Sequence, residues 1–97
     1  MRLIVPLDTV PSQTLAIGLN NQAVRLNVYQ RNTGLYVDVA RDDALIIGGV
    51  IALDRNLIVR SKYLGFIGDL AFFDTQGFAD PQWAFFGQRF FLGYWSS

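Results

Sequence analysis

Three consecutive segments of the chain alternate between apolar residues and polar or small residues with a period of two. The apolar positions are Leu15, Ile17 and Leu19; Val24, Leu26 and Val28; and Leu35, Val37 and Val39. This alternation is typical of β-strands that bury one face, and the β-branched residues in the segments favour the same conformation. No stretch sustains the 3.6-residue period of an amphipathic helix. The chain is therefore predicted to be all-β.

The first turn predicts how two of these strands pair. Asn20 and Asn21 stand between them, and Asn tolerates the positive φ that a two-residue hairpin loop requires. Such a loop sets Ile17 opposite Val24, so that the apolar faces of both strands coincide.

A turn over residues 31–34 would continue the antiparallel meander and place Val28 opposite Leu35. In that register Arg25 lies across from Asp38 on the outer face. We expect this pair to be an ion pair that fixes the register, and the alternative is a polar binding site.

An uninterrupted apolar run follows at residues 44–53 and contains the pair Gly48-Gly49. A run without alternation is typical of a strand that is covered on both sides. Paired glycines inside such a strand predict a bend or a bulge.

Further short strands are predicted at Leu57–Val59 and Gly65–Phe73. Residues 82–86 could form one helical turn, with Asp80 as its cap and Pro81 at its first position. The whole is predicted to be one domain over residues 1–97. Its expected architecture is a small antiparallel β-sandwich or partly open barrel, built from an N-terminal meander and C-terminal hairpins.

Composition argues against several functions. The chain has no cysteine, histidine or glutamate, its formal net charge is zero, and Lys62 is its only lysine. It therefore lacks the commonest metal ligands and general bases, and it has no basic surface for nucleic acid. Asp74, Gln76 and Asp80 surround a glycine, but their spacing does not fit a calcium-binding loop. We expect no enzyme, no cofactor and no metal.

The longest apolar run is about half of the ~20 residues that a membrane-spanning helix needs. The apolar stretch at the start is also too short for a signal peptide. The sequence thus predicts a protein of cytoplasmic origin that does not enter a membrane.

Apolar residues exceed what a small core can hide. They make up 52% of the chain, while charged residues reach only 16% against a typical ~25%. Such a surplus predicts an exposed apolar surface that docks on a partner.

The aromatic C-terminal stretch, residues 78–95, is the best candidate for that surface. If residues 89–95 form an unbroken strand, Phe90, Leu92 and Tyr94 face the core, and Phe91 and Trp95 face outward. The predicted partner-binding residues are Trp83, Phe85, Phe86, Phe91 and Trp95. The alternative is a carbohydrate-binding or receptor-binding module that uses exposed Trp and Phe side chains as stacking platforms.

The C-terminal half, "LGFIGDLAFFDTQGFADPQWAFFGQRFFLGYW", resembles the baseplate plug proteins of contractile-tail bacteriophages. The shared features are a Leu-Gly start, a short strand ending in Asp, a Gly turn, an Asp-Pro loop, a Leu-Gly or Phe-Gly pair and a closing strand. This chain departs from the family pattern at Phe85-Phe86, where Leu is more usual before the Gly. The front half is compatible with the same family, with an opening strand, a Pro-containing loop and a Gly-Val pair before another strand.

This resemblance implies an all-β structural subunit of the virion baseplate, assembled in the host cytoplasm. It further implies several symmetry-related copies in contact with hub, tail-tube or wedge proteins.

Overall fold

A computed structural model describes residues 2–60 and 66–96. Lys62 and the start of the strand predicted from Gly65 lie outside the described residues. The described strands are β1 (Arg2–Val5), β2 (Ser12–Leu19), β3 (Gln22–Arg31), β4 (Gly34–Arg41), β5 (Ala44–Ile51), β6 (Asp69–Asp74) and β7 (Phe90–Trp95). A 3-10 helix, Trp83–Phe85, precedes β7.

These strands form two antiparallel sheets, so the prediction of an all-β fold is confirmed. The four-stranded sheet has the order β2-β3-β4-β5, and the three-stranded sheet has the order β1-β7-β6. The two sheets are not closed into a barrel, which leaves the sandwich of the two predicted architectures.

The first hairpin has the predicted register. Ile17 pairs with Val24, and Asn20 and Asn21 form the loop with φ values of 53° and 64°. Two successive residues at positive φ match the right-handed twist of the flanking strands, so this loop fixes the pairing of β2 with β3.

The second hairpin differs from its prediction by two residues. Its loop is only Asn32-Thr33, because Arg31 and Gly34 already pair with each other. Val28 consequently pairs with Val37, and not with Leu35. A shift of two residues leaves every side chain on its predicted face, since the strand period is two.

The predicted pairing of Arg25 with Asp38 is therefore wrong. In the shorter hairpin Arg25 lies opposite Ala40, and its guanidinium Nη2 lies 3.6 Å from Asp43 Oδ1. Both side chains of this ion pair are largely exposed, so it contributes little to stability.

Strand β5 bulges at its glycines, as predicted, but it is not covered on both sides. Gly48 and Gly49 together oppose the single residue Asp38, and Gly49 has a φ of 66°. The strand lies at the edge of the four-stranded sheet, and its Leu45 side chain is 68% exposed. The expectation of a fully covered strand is therefore wrong for the chain as described.

The core lies between the inner faces of the two sheets. Its largest fully buried side chains include Leu19, Leu26, Leu70, Phe72, Phe90, Leu92 and Tyr94. Phe66 meets Tyr94 edge to face, with the ring centroids 6.0 Å apart.

Residues 54–60 are not the strand predicted at Leu57–Val59. They form an irregular segment along the free edge of β6, where the Ile58 amide donates to the Leu70 carbonyl at 2.9 Å. The Asp69 carboxylate accepts from the amides of Ile58, Val59 and Arg60 at 3.2, 2.8 and 2.8 Å. These side-chain bonds replace a regular ladder, which explains why the segment is ordered but not a strand.

Candidate docking surface

Strand β7 divides its aromatic residues between two faces in the predicted manner. Phe90, Leu92 and Tyr94 are buried, while Phe91 and Trp95 are only partly buried on the opposite face. Its pairing with β6 runs without interruption from residue 90 to residue 95, so no bulge reverses the faces at Gly93.

Neighbouring strands extend the outward side of β7 into an apolar surface. Ile4 on β1 pairs with Gly93, and Phe73 on β6 pairs with Phe91. The rings of Phe73 and Trp95 lie 6.2 Å apart between centroids. We call these residues, Ile4, Phe73, Phe91, Gly93 and Trp95, the outer face of the three-stranded sheet.

An open groove of about 650 Å³ follows this outer face. Leu57 lines it from the segment beside β6, and Arg2 and Arg55 also border it. Gly93 lies in its floor, and a Cβ there would lie 2.8 Å from the Phe73 ring and would force that ring to shift. The glycine thus allows Phe73 to lie across β7.

Ile4, Leu57 and Phe73 were not among the residues predicted from the sequence. Ile4 is 58% exposed, yet it stands in a four-residue strand too short to show alternation. Its place beside Gly93 depends on the pairing of the first strand with the last, and no local pattern reports such a pairing.

The remaining predicted residues, Trp83, Phe85 and Phe86, lie in the 3-10 helix and at its C-terminal end, and they differ in exposure. Phe85 is exposed, whereas Trp83 is partly buried and packs against the core. Phe86 is only 2% exposed and stacks on Phe72 with centroids 5.8 Å apart, so its expected surface position is wrong.

Phe78 is a further exposed aromatic residue that the predicted set omitted. Its side chain is 85% exposed, and the Arg55 guanidinium lies over its ring at 4.8 Å from the centroid. Arg55 also borders the groove, so Phe78 lies beside the groove and beyond the sheet.

A family model described as "Cyanophage baseplate Pam3 plug gp18" matches residues 1–97, the whole chain. The chain belongs to this baseplate plug family. A search among curated proteins finds no match. Membership in the baseplate plug family confirms the resemblance seen in the sequence and indicates a structural role in a phage baseplate.

In this member of the plug family, Asp74 holds the loop that displays Phe78. Its buried carboxylate accepts from Arg89 Nε and Nη2, both at 2.8 Å. It also accepts from the amides of Gln76 and Ala79 at 2.9 and 2.8 Å. The hydrogen bonds from Arg89, followed by those from the two amides and by the charge of Arg89, hold the pKa of Asp74 well below its usual range, although burial alone would raise it.

Asp80 does not cap the 3-10 helix. Its Oδ1 accepts from the Asp54 amide at 3.0 Å, and the residue at the N-cap is Gln82, which makes no side-chain capping bond. Pro81 is buried and precedes the helix, so it does not occupy the predicted first helical position. Asp80 thereby anchors the 74–82 loop to the segment beside β6.

Asp38 has a structural role in the bulge of β5. Its carboxylate accepts from the Gly49 amide at 2.7 Å and from the Tyr29 hydroxyl at 2.9 Å. Asn27 Nδ2 lies 3.4 Å from the same carboxylate. Burial alone would raise the pKa of Asp38, but these hydrogen bonds lower it below its usual value.

Over residues 2–60 and 66–96, no group of three or more acidic residues is arranged to hold a metal ion. Within the same ranges, no helix has the length and apolar character needed to cross a membrane.

Proposed function

We propose that the chain is a non-enzymatic structural subunit of a contractile phage tail baseplate. It docks through the outer face of the three-stranded sheet, together with Phe78 and Phe85, against hub, tail-tube or wedge proteins. It is present in the virion in several symmetry-related copies and is assembled in the host cytoplasm. Family membership supports the structural role, and the outer face supports the mode of docking.

The observation that carries this proposal is that the apolar residues in excess of the core lie together on one exposed face. Ile4, Phe73, Phe91 and Trp95 form one continuous outward surface on a sheet whose inner face already supplies the core. A contiguous apolar surface with aromatic side chains is typical of the centre of a protein interface. Truncation of such aromatic residues typically costs about 2 kcal/mol or more of binding free energy each.

The carboxylates support a non-catalytic role. Asp38, Asp69 and Asp74 each accept several hydrogen bonds from the protein, and these bonds hold a bulge, a segment or a loop in place. These hydrogen bonds give each of the three carboxylates a structural role. The carbohydrate alternative gains no support from Trp83 or Trp95, since one packs against the core and the other against Phe73.

Substitution of the outer face tests the docking. We expect Phe91→Ser combined with Trp95→Ser to abolish incorporation of the chain into purified tails, measured by immunoblot. Tyr36→Ser is the matched control, because it removes a partly buried aromatic side chain from the outward side of the other sheet.

A second variant guards against loss of folding. Ile4→Asp places a charge on a side chain that is already 58% exposed, so the isolated chain should keep its circular dichroism spectrum and melting temperature. Normal incorporation of both the double variant and Ile4→Asp would show that the docking surface lies elsewhere. Binding of the isolated chain to a glycan array would favour the receptor-binding alternative.

A further inference from the structure

Strand β5 differs from the other described edge strands in how little covers or protects its open edge. The edge of β6 is covered by residues 54–60, and β1 has only four residues. Edge strand β2 alternates polar or small exposed residues with apolar ones, which suits contact with water. β5 has eight residues without a charge or a proline, so of the devices that usually protect an open edge it has only the bulge at Gly48 and Gly49.

The backbone N–H and C=O groups of Leu45 point away from β4, toward the open side of β5. The Asp42 amide donates to the Ala23 carbonyl on β3. Along a strand the N–H and C=O groups of every second residue point the same way, so those of Ala40 also point toward β3. Leu45 pairs with Ala40 and therefore occupies a non-hydrogen-bonded position, with its N–H and C=O on the open side of β5.

The same holds at the other end of the strand. The Ala52 amide donates to the Leu35 carbonyl at 2.7 Å, which makes that pair a hydrogen-bonded one. Its neighbour Ile51, opposite Tyr36, then directs its N–H and C=O outward. The open edge thus presents backbone donors and acceptors near both ends of an apolar strand.

We propose that an extended segment of another baseplate protein adds to β5 as a further strand of the four-stranded sheet. This inference rests on the proposed function and names a second contact with its partners. An extended backbone satisfies outward N–H and C=O groups spaced along an edge in one regular ladder, and the uncharged side chains of β5 favour an uncharged, apolar partner strand.

A second copy of the chain does not fit this edge. Two copies of β5 related by a two-fold axis would bring their midpoints together, and the bulge of Gly48 and Gly49 lies close to that midpoint. In such a pair both strands would be irregular at the same place, whereas a regular strand of another protein would meet the irregularities of one β5 only.

The size of the edge leads to the same conclusion. An eight-residue strand is about 26 Å long, and with a depth of about 10 Å it buries on the order of 260 Å² per partner. A stable interface buries about 800 Å² per partner. The β5 edge therefore serves as one part of a larger contact with a protein that also meets the chain elsewhere.

Amide hydrogen exchange, resolved by residue, tests the proposal in the isolated chain and in purified tails. In the isolated chain we expect the Leu45 and Ile51 amides to exchange fast and the Ala52 amide to exchange slowly. In tails the Leu45 and Ile51 amides should become protected, while the outward Ala16 amide on edge strand β2 stays fast.

Each other outcome overturns the assignment. Fast exchange of Leu45 in tails that contain the chain would reject strand addition and leave the proposed function intact. Absence of the chain from tails would reject both. Protection of Leu45 already in the isolated chain, with a dimer in sedimentation, would assign the edge to a second copy.

Substitutions provide an independent measurement. Leu45→Pro removes the outward N–H without a loss from the β4 ladder, so the isolated chain should keep its melting temperature but lose incorporation into tails. Leu45→Thr retains the N–H, and Ala16→Pro removes an equivalent outward N–H from β2; both should be incorporated normally. Equal incorporation of Leu45→Pro and Ala16→Pro would refute the contact.

Discussion

At the scale of single residues, Gly68 shows how one backbone position limits the sequence. Its φ is 92°, and a Cβ would lie 2.4 Å from the Trp95 carbonyl oxygen and 2.7 Å from the Tyr94 hydroxyl. That hydroxyl donates to the Ile67 carbonyl, so the surrounding atoms are held in place.

Gly68→Ala should therefore destabilise the chain by about 3 kcal/mol or more, since it combines backbone strain with a clash. Gly87→Ala is the control, because Gly87 has a φ of 79° and open space around its Cα. That substitution should cost only about 1–2 kcal/mol of strain. Urea denaturation measures both, and equal losses would contradict the clash.

Asp74 makes stability depend on pH with a defined sign. Its pKa is lowered in the folded chain, mainly by Arg89, from an unfolded value of about 3.9. The stabilisation from the ionised carboxylate is complete well above that unfolded value and is lost as the pH falls through it toward the folded pKa.

Wild-type chain should therefore lose more stability than Asp74→Asn between pH 7 and pH 3, as measured by urea midpoints. At pH 7 the variant itself should be less stable, because it leaves Arg89 without its carboxylate. Asp43→Asn, at an 88% exposed side chain, serves as the control and should leave the pH 7 midpoint unchanged. An equal pH response in wild type and Asp74→Asn would exclude this role of Asp74.

At the scale of elements, local sequence patterns predicted the positions of the strands better than the register in which the strands pair. Alternation located β2, β3 and β4, and the Asn20-Asn21 loop gave the first register because two-residue loops allow few geometries. The second register was missed because residues 31–34 suit either a four-residue turn or a two-residue loop. The strand period preserved the faces, but the Arg25–Asp38 pairing was lost with the register.

The candidate surface was predicted only where it depended on one strand. Phe91 and Trp95 followed from the alternation within β7 alone. Ile4 and Phe73 join them through pairings of β7 with strands that are distant or poorly marked in sequence. The burial of Phe86 depends on Phe72, fourteen positions earlier, and a local pattern does not show whether an aromatic residue has such a partner.

At the scale of the whole molecule, the two sheets differ in how they are connected. The four-stranded sheet consists of consecutive hairpins between residues 12 and 51, whereas the three-stranded sheet joins the first strand to the last. Closing short hairpin loops costs less chain entropy than bringing the ends of the chain together. The four-stranded sheet is therefore expected to form first and to provide the surface on which β1, β6 and β7 assemble.

Two core substitutions of the same chemistry test this order. Leu26→Ala on β3 and Leu92→Ala on β7 each truncate a fully buried leucine, and each should cost about 2–5 kcal/mol of unfolding free energy. If the hairpins form first, Leu26→Ala slows folding, while Leu92→Ala chiefly accelerates unfolding, because its contacts are made after the transition state. Stopped-flow kinetics in urea separates the two rates. The order would be wrong if Leu92→Ala slowed folding as much as Leu26→Ala, since β7 would then belong to the folding nucleus.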